Sequence, residues 1–343
     1  MNTIISKYNS SKITILNLVL IIMMIYRHAY YLEAEDGNGL ALGVQRFIDF
    51  GLCHLTNSMF FALSGFLFFK NTCSATQCLP KIKKRVRSLL LPYIIWNCYF
   101  VFFNLILSTI PGVSAFINND ILANFTSLKD GLHYLFITPA SYPLWFLRDL
   151  MVCVAFSPLI FVCIHKLKWI FVLLLFLISP LLHLSGMLEF SLGGIIALCY
   201  SLEKLDMKLN NKIVIASIVI YLVNAVASIY YEYQRPMYIG KLITLTSIIA
   251  IWGGYNYVAK GRILTENKFW KPIVGYSFFL YLSHIPILNI IKKIPIFIFG
   301  ASDLSIIFWY ILSPLIFVAI AIPVAKLMQR LIPRVYSILV GGR

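Results

Sequence analysis

The sequence predicts an all-α fold: a polytopic transmembrane helical bundle of about ten spans with both termini cytoplasmic. Composition is the first reason. Of 343 residues, 60% are apolar and 12% are charged, whereas a soluble domain carries about 25% charged residues. A mean hydropathy of +0.84 over this length would leave a water-soluble molecule with a greasy surface, so soluble enzymes and disordered chains are excluded. The second reason is recurrence, because runs close to the ~20 apolar residues that cross a bilayer core follow one another along the chain. The third is charge placement. The net charge of +16, from 29 Lys and Arg against 13 Asp and Glu, sits in alternate loops, as cytoplasmic loops require. That placement argues against a nucleic-acid partner.

The apolar runs are, in order, 13–31, 48–69, 88–110, 143–164, 169–184, 187–201, 213–230, 239–257, 269–290 and 305–328. The fifth and sixth are short and parted only by Leu184-Ser185-Gly186. Lys7 and Lys12 precede the first run like the basic region of a signal peptide, but no small-residue cleavage site follows, so the run reads as a retained helix. With the N-terminus inside, inner segments hold 21 cations, among them Lys7, Lys12 and the dense stretch Lys81 to Arg87. Outer loops hold six: Arg46, Lys129, Arg235, Lys241, Lys292 and Lys293. Arg27 and Arg148 lie at or within the membrane. The outer loop 111–142 carries a weakly amphipathic stretch, Ile121 to Phe136, suited to the membrane surface. Neither an internal repeat nor an inverted half is visible, which weakens a transporter reading. The seven cysteines show no metal-like or CxxC spacing and read as small hydrophobes.

An ionisable group at membrane depth costs about 2.5–3.5 kcal/mol on insertion scales, so each is a candidate for function. His28 lies about 24 Å along the first helix, near its outer end. Asp49 and His54 open the second span from outside, Arg148 and Asp149 the fourth, and Glu189 the sixth; His284 lies far along the outward-running ninth. Groups on five spans thus share the outer level, as around a polar chamber. Each has an ordinary reading beside the functional one. A histidine near a helix end snorkels or is satisfied in the core; Asp49 is close enough to water to be solvated; Glu189 suits a helix start. Arg148 and Asp149 are adjacent, and adjacent helix positions do not face each other, so one is expected to find a partner on another span. His28, beside Arg27 on an otherwise apolar helix, fits the ordinary reading least well. The basic 81–87 stretch anchors topology and attracts anionic lipid, or grips phosphates of a cytoplasmic donor. No Walker loop, dinucleotide fingerprint, GxSxG or HExxH sits at a usable position.

Several segments taken together resemble the acyltransferase family 3 membrane proteins, which O-acylate cell-envelope and secreted polysaccharides. They are the first-span His28; Asn57-Ser58-Met59-Phe60-Phe61-Ala62-Leu63-Ser64-Gly65-Phe66; Lys84-Arg85-Val86-Arg87-Ser88-Leu89-Leu90-Leu91-Pro92-Tyr93; Pro143-Leu144-Trp145-Phe146-Leu147-Arg148-Asp149-Leu150; and Ser277-Phe278-Phe279-Leu280-Tyr281-Leu282-Ser283-His284. Their order covers essentially the whole chain, 1–343, as a single integral-membrane domain. One position departs. The family commonly carries an arginine eleven residues before its catalytic histidine, and here that place holds Asn17. Eleven residues are three turns plus about 20°, so Asn17 and His28 share a helix face. Asparagine can bond an amide but cannot pair with a phosphate as arginine does. Arg27 points about 100° away from that face.

The resemblance implies transfer of an acyl group, acetyl by prevalence, from acyl-CoA to a hydroxyl of a carbohydrate acceptor. Acetyl-CoA is then a co-substrate, and no permanently bound cofactor or metal is expected. His28 is expected as general base. Lys83, Lys84, Arg85 and Arg87 are expected to hold the donor's phosphates, with Asn17, Ser64 and His284 as further substrate contacts. Beyond the resemblance, Asp149 or Glu189 is expected to orient the imidazole, and Arg148 to stabilise the oxyanion. The expected setting is a multi-pass protein of a bacterial cytoplasmic (inner) membrane, with the lipid bilayer and polysaccharide-assembly proteins as partners. The alternative is a secondary transporter or a lipid-linked glycan translocase without acyl transfer.

Overall fold

Helices follow the apolar runs, but not one for one. In the computed structural model residues 5–33, 39–110, 127–178, 186–230 and 236–342 are described, and the regular elements among them are all helical. In chain order they are α1 (Lys7–Arg27), α2 (Leu40–Arg46, continued by a π-helical turn, Phe47–Leu52), α3 (Thr56–Phe69), α4 (Cys78–Arg85), α5 (Leu91–Ser108), α6 (Leu128–Phe136), α7 (Trp145–Ala155) and α8 (Ser157–Leu167). Then come α9 (Trp169–Ile178), α10 (Met187–Cys199), α11 (Leu202–Lys208), α12 (Asn211–Ala227), α13 (Met237–Ala259), α14 (Ser277–Phe299), α15 (Asp303–Leu331) and α16 (Pro333–Leu339).

Among the described residues six stretches are long and apolar enough to cross a membrane: Lys7–Arg27, Leu40–Phe69, Ala75–Ser108, Met237–Ala259, Val274–Phe299 and Asp303–Leu331. Two helix pairs broken by short turns, 142–167 and 202–227, bring the count to eight if each pair is one span. The expected ten therefore stands at six to eight. The difference lies in the fifth and sixth apolar runs: the fifth is described only to Ile178, within α9, the rest of it lying outside the described residues, and the sixth contains the thirteen-residue α10. Of the stretch Ile121 to Phe136, residues 121–126 lie outside the described residues, and the remainder contains α6 with Ser127 accepting from Asp130 N as its N-cap.

Proline and polar caps explain the breaks. Pro158 begins α8 immediately after the turn that ends α7, where its missing N–H is harmless. Asn210 caps α12 by accepting from Lys212 N (3.0 Å) and separates it from α11, bent away by 83°. Within α14, Ile285 leaves the helical region (φ −102°, ψ 132°) directly before Pro286. A residue preceding proline is pushed out of α geometry, so the kink follows from sequence.

The chain forms two units, Met1–Ile82 with Cys153–Ser277, and Lys83–Val152 with Phe278–Arg343. In the first, α3 and α10 approach backbone to backbone. A Cβ at Gly65 would run into the carbonyl of Phe190, and one at Gly193 into the carbonyl of Ala62. Small residues permit this approach, as membrane helix pairs require. Phe68, Phe69 and Phe190 close the same interface with ring centroids 5.2–6.0 Å apart. Lys81 caps the C-terminal end of α3 by donating to the carbonyls of Phe68 (2.9 Å) and Lys70 (2.7 Å) and to Thr72 Oγ1 (2.7 Å). In the second unit, Trp96 on α5 donates to Leu339 O (3.0 Å) and packs on Phe279, which in turn meets Tyr336.

Lys12, counted by sequence among the loop cations, is instead wholly buried. Its ammonium bonds Asp206 Oδ1 (2.8 Å) and Asn256 Oδ1 (2.9 Å) and stands 4.1 Å over the Trp252 ring. Asp206 also accepts from Trp252 Nε1 (2.9 Å), and Tyr8 donates to Asn256 Oδ1 (2.9 Å). The charge turns inward because α11 and α13 bring it a carboxylate, an amide and an aromatic face, which together offset desolvation.

Candidate active site

The apolar helix α1 ends at His28, which caps it with φ −99° and ψ 0° and whose backbone N–H donates to Ile25 O (3.1 Å). Its side chain is half-buried. The residues on either side of it are held by one short stretch, α2 and its π-helical extension. Arg27 Nε donates to Asp49 Oδ1 at 2.9 Å. Gln45 Oε1 accepts from the backbone N–H groups of Tyr31 (2.8 Å) and Leu32 (3.2 Å), while Gln45 Nε2 donates to Leu32 O (2.6 Å). The histidine thus sits between Arg27, anchored through its side chain, and the anchored backbone of Tyr31 and Leu32.

This clamp revises one sequence reading. Asp49 was expected to be solvated; it is buried and paired with Arg27. Arg27, off the face shared by Asn17 and His28, spends its charge on Asp49, which neutralises both ions where water is scarce. Gln45 escaped notice because a search for ionisable groups passes over amides, and its three bonds depend on a fold-back of the chain.

The other expected residues of this unit are spread along it. Asn17 is half-buried in the middle of α1 and Ser64 half-buried on α3. Glu189 lies in the first turn of α10, 7% exposed, and accepts from Ser58 Oγ (3.2 Å). Both the helix-start reading and a polar role therefore hold for it, and Ser58 belongs to the segment that carries the family resemblance. His54 takes the ordinary reading: its Nδ1 donates to Gly51 O (2.7 Å), and Ser247 Oγ lies 3.2 Å from its Nε2.

In the second unit the expected partner on another span for Arg148 or Asp149 is replaced by a pair between neighbours. Arg148 Nε and Nη2 both contact Asp149 Oδ1, at 2.8 and 2.7 Å. Arg148 Nη1 also donates to Ile137 O. The long guanidinium arm curls back at the start of α7, which the rule on neighbouring helix positions does not forbid. The segment it reaches is held further by Tyr93 Oη to Leu135 O (2.6 Å), Asn97 Nδ2 to Tyr134 O (2.9 Å) and Ser141 N to Asn97 Oδ1 (3.1 Å). Tyr281 donates to Pro143 O (2.9 Å). His284, at the kink of α14, is 1% exposed and donates from Nδ1 to Tyr281 O (2.6 Å). Lys83, Lys84 and Arg87 are exposed on and just after α4, and Arg85 is half-buried. Among the described residues no group of His, Cys, Asp or Glu is arranged to hold a metal ion.

Comparison with known proteins supports the resemblance over nearly all the chain. The chain is 26% identical over 350 residues to the succinoglycan biosynthesis protein ExoH of Rhizobium meliloti (strain 1021), covering 97% of this chain and 92% of that one. No solved structure matches. The profile of the family described as an acyltransferase domain matches residues 11–328. The chain, a multi-pass membrane protein, belongs to acyltransferase family 3.

Proposed function

We propose that the protein transfers an acyl group from acyl-CoA to a hydroxyl of a cell-surface or secreted polysaccharide precursor, with His28 as general base. Family membership and a relative named for succinoglycan biosynthesis support acyl transfer to a polysaccharide. The observation that carries the role of His28 is the clamp: Asp49 holds the side chain of Arg27 before a half-buried imidazole, and Gln45 holds the backbone of Tyr31 and Leu32 after it. A base must be both oriented and reachable, and titrate near neutral pH.

In this reading the imidazole takes the proton of the acceptor hydroxyl as its oxygen attacks the thioester carbonyl. The C–O bond forms, the C–S bond breaks, and the proton passes to the departing thiolate, giving the ester and free CoA. Asn17, on the same unit as His28, offers an amide for the donor's pantetheine arm. Glu189, on the same unit as His28, is the carboxylate for orienting the imidazole. Acetyl is the donor group to try first, and a bacterial inner membrane is the expected setting.

The test uses membranes supplied with labelled acetyl-CoA and a polysaccharide acceptor. Wild type is expected to label the acceptor, and His28→Ala to lose about 10²–10⁴-fold in rate. Labelling that survives the substitution removes His28 from the mechanism; no labelling by wild type with any acceptor favours a translocase.

A further inference from the structure

We infer that Tyr221 on α12 is a positioning residue for the proposed base, acting through the π-helical turn that carries Asp49, an inference that rests on His28 being that base. Both halves of the clamp lie on one continuous stretch, Gln45 on α2 and Asp49 on the turn Phe47–Leu52. Where that stretch points therefore decides where the clamp closes. The turn is held in π geometry by Cys53 N, which donates to Ile48 O (2.8 Å), five residues back. An α-helix would bond four residues back, and one residue is about 100° around a helix. Reverting the turn to α pitch would swing Asp49 and Gln45 off Arg27 and the backbone of Tyr31 and Leu32.

What fixes the turn is α12. A helix that stops needs outside donors for its last carbonyls, and here side chains supply two. Tyr221 Oη donates to Leu52 O (2.7 Å), and His54 Nδ1 to Gly51 O (2.7 Å). Tyr221 is 8% exposed, and its ring centroid lies 6.1 Å from that of His54, so one residue touches both the end of the turn and its other cap. The backbones meet beside it: a Cβ at Gly51 would stand 2.7 Å from Ser228 Oγ and 2.8 Å from Ala225 Cα. Glycine lets the turn lie this close to α12, and Tyr221 is one helical turn before Ala225 on the same face. A ring needed only to fill space could be phenylalanine; this hydroxyl is committed to a carbonyl three residues after Asp49.

The test compares Tyr221→Phe with wild type in membranes, with labelled acetyl-CoA and a polysaccharide acceptor, as rate per folded molecule. The variant keeps the ring and loses the hydroxyl. Its kcat is expected to fall about tenfold, with KM for acetyl-CoA unchanged. The double variant Tyr221→Phe with Asp49→Asn is expected to lose no more than Asp49→Asn alone, because both act through one contact. Hydrogen–deuterium exchange of the purified full chain gives a readout without acyl transfer: the amides of Tyr31 and Leu32, bonded to Gln45, are expected to exchange faster in Tyr221→Phe. An unchanged kcat, a double variant whose losses multiply, or unchanged exchange at those two amides overturns the role of Tyr221. Absence of label transfer by wild type overturns the reaction instead, and exchange alone then decides whether Tyr221 holds the clamp.

Discussion

The two ends of α1 treat polar groups in opposite ways. At its start, Lys12 is sealed: its ammonium is shared among a carboxylate, an amide and an indole face. At its end, Arg27 and the backbone after His28 are bonded to Asp49 and Gln45, while the imidazole between them stays half-buried. One end uses its bonds to close a charge off, the other to fix the residues on either side of an imidazole. A buried cation alone therefore need not mark a working site; under the proposed reaction, the working group is the side chain left half-buried between bonded neighbours.

Substitutions at the two ends can break this contrast. The largest loss of stability is expected at the sealed end. Lys12→Met strands Asp206 without its partner, and breaking a buried pair from one side costs about 3–5 kcal/mol. Thermal unfolding in detergent should show the drop, and the double variant Lys12→Met with Asp206→Leu should recover part of it. Acyl transfer per folded molecule should barely change. At the other end the order reverses. Asp49→Asn removes the countercharge of Arg27, with a stability loss of about 1–3 kcal/mol and a larger fall in acylation rate than Lys12→Met produces per folded molecule. Gln45→Leu deletes three hydrogen bonds of about 0.5–1.5 kcal/mol net each. Its effect should fall on kcat rather than on KM for the donor, because it loosens the base and leaves the binding surface alone. The smallest change is expected from Asn17→Arg, which restores the family's usual residue. KM for acyl-CoA should decrease a few-fold with stability unaltered; an increase would show that this chain's donor contact is built around the amide.

The same contrast shows what could be read from the chain alone. Apolar run lengths and family segments were sufficient for a helical membrane protein and for its family. They left the number of spans open because a run such as 187–201 reads alike whether it faces lipid or lies against another helix. The contact that decides, Gly65 against Phe190 and Gly193 against Ala62, joins positions far apart in sequence. Lys12 looked like a loop cation because its partners, Asp206 and Asn256, lie 194 and 244 residues away. Asp49 was found by its charge and misread by its position, since proximity to an interface does not reveal the Arg27 that shields it.

The glycine contact between α3 and α10 also bears on how the chain is made. Thirteen residues of helix rise about 20 Å, short of the ~30 Å of hydrocarbon that a lone helix must cross. As α10 leaves the translocon it cannot settle in lipid unaided, and its lodging is the small-residue groove of a helix synthesised more than a hundred residues earlier. Biogenesis of this protein is therefore ordered: α3 must wait in the membrane for its late partner, and a bulky residue at Gly193 would strand that partner before any chemistry began.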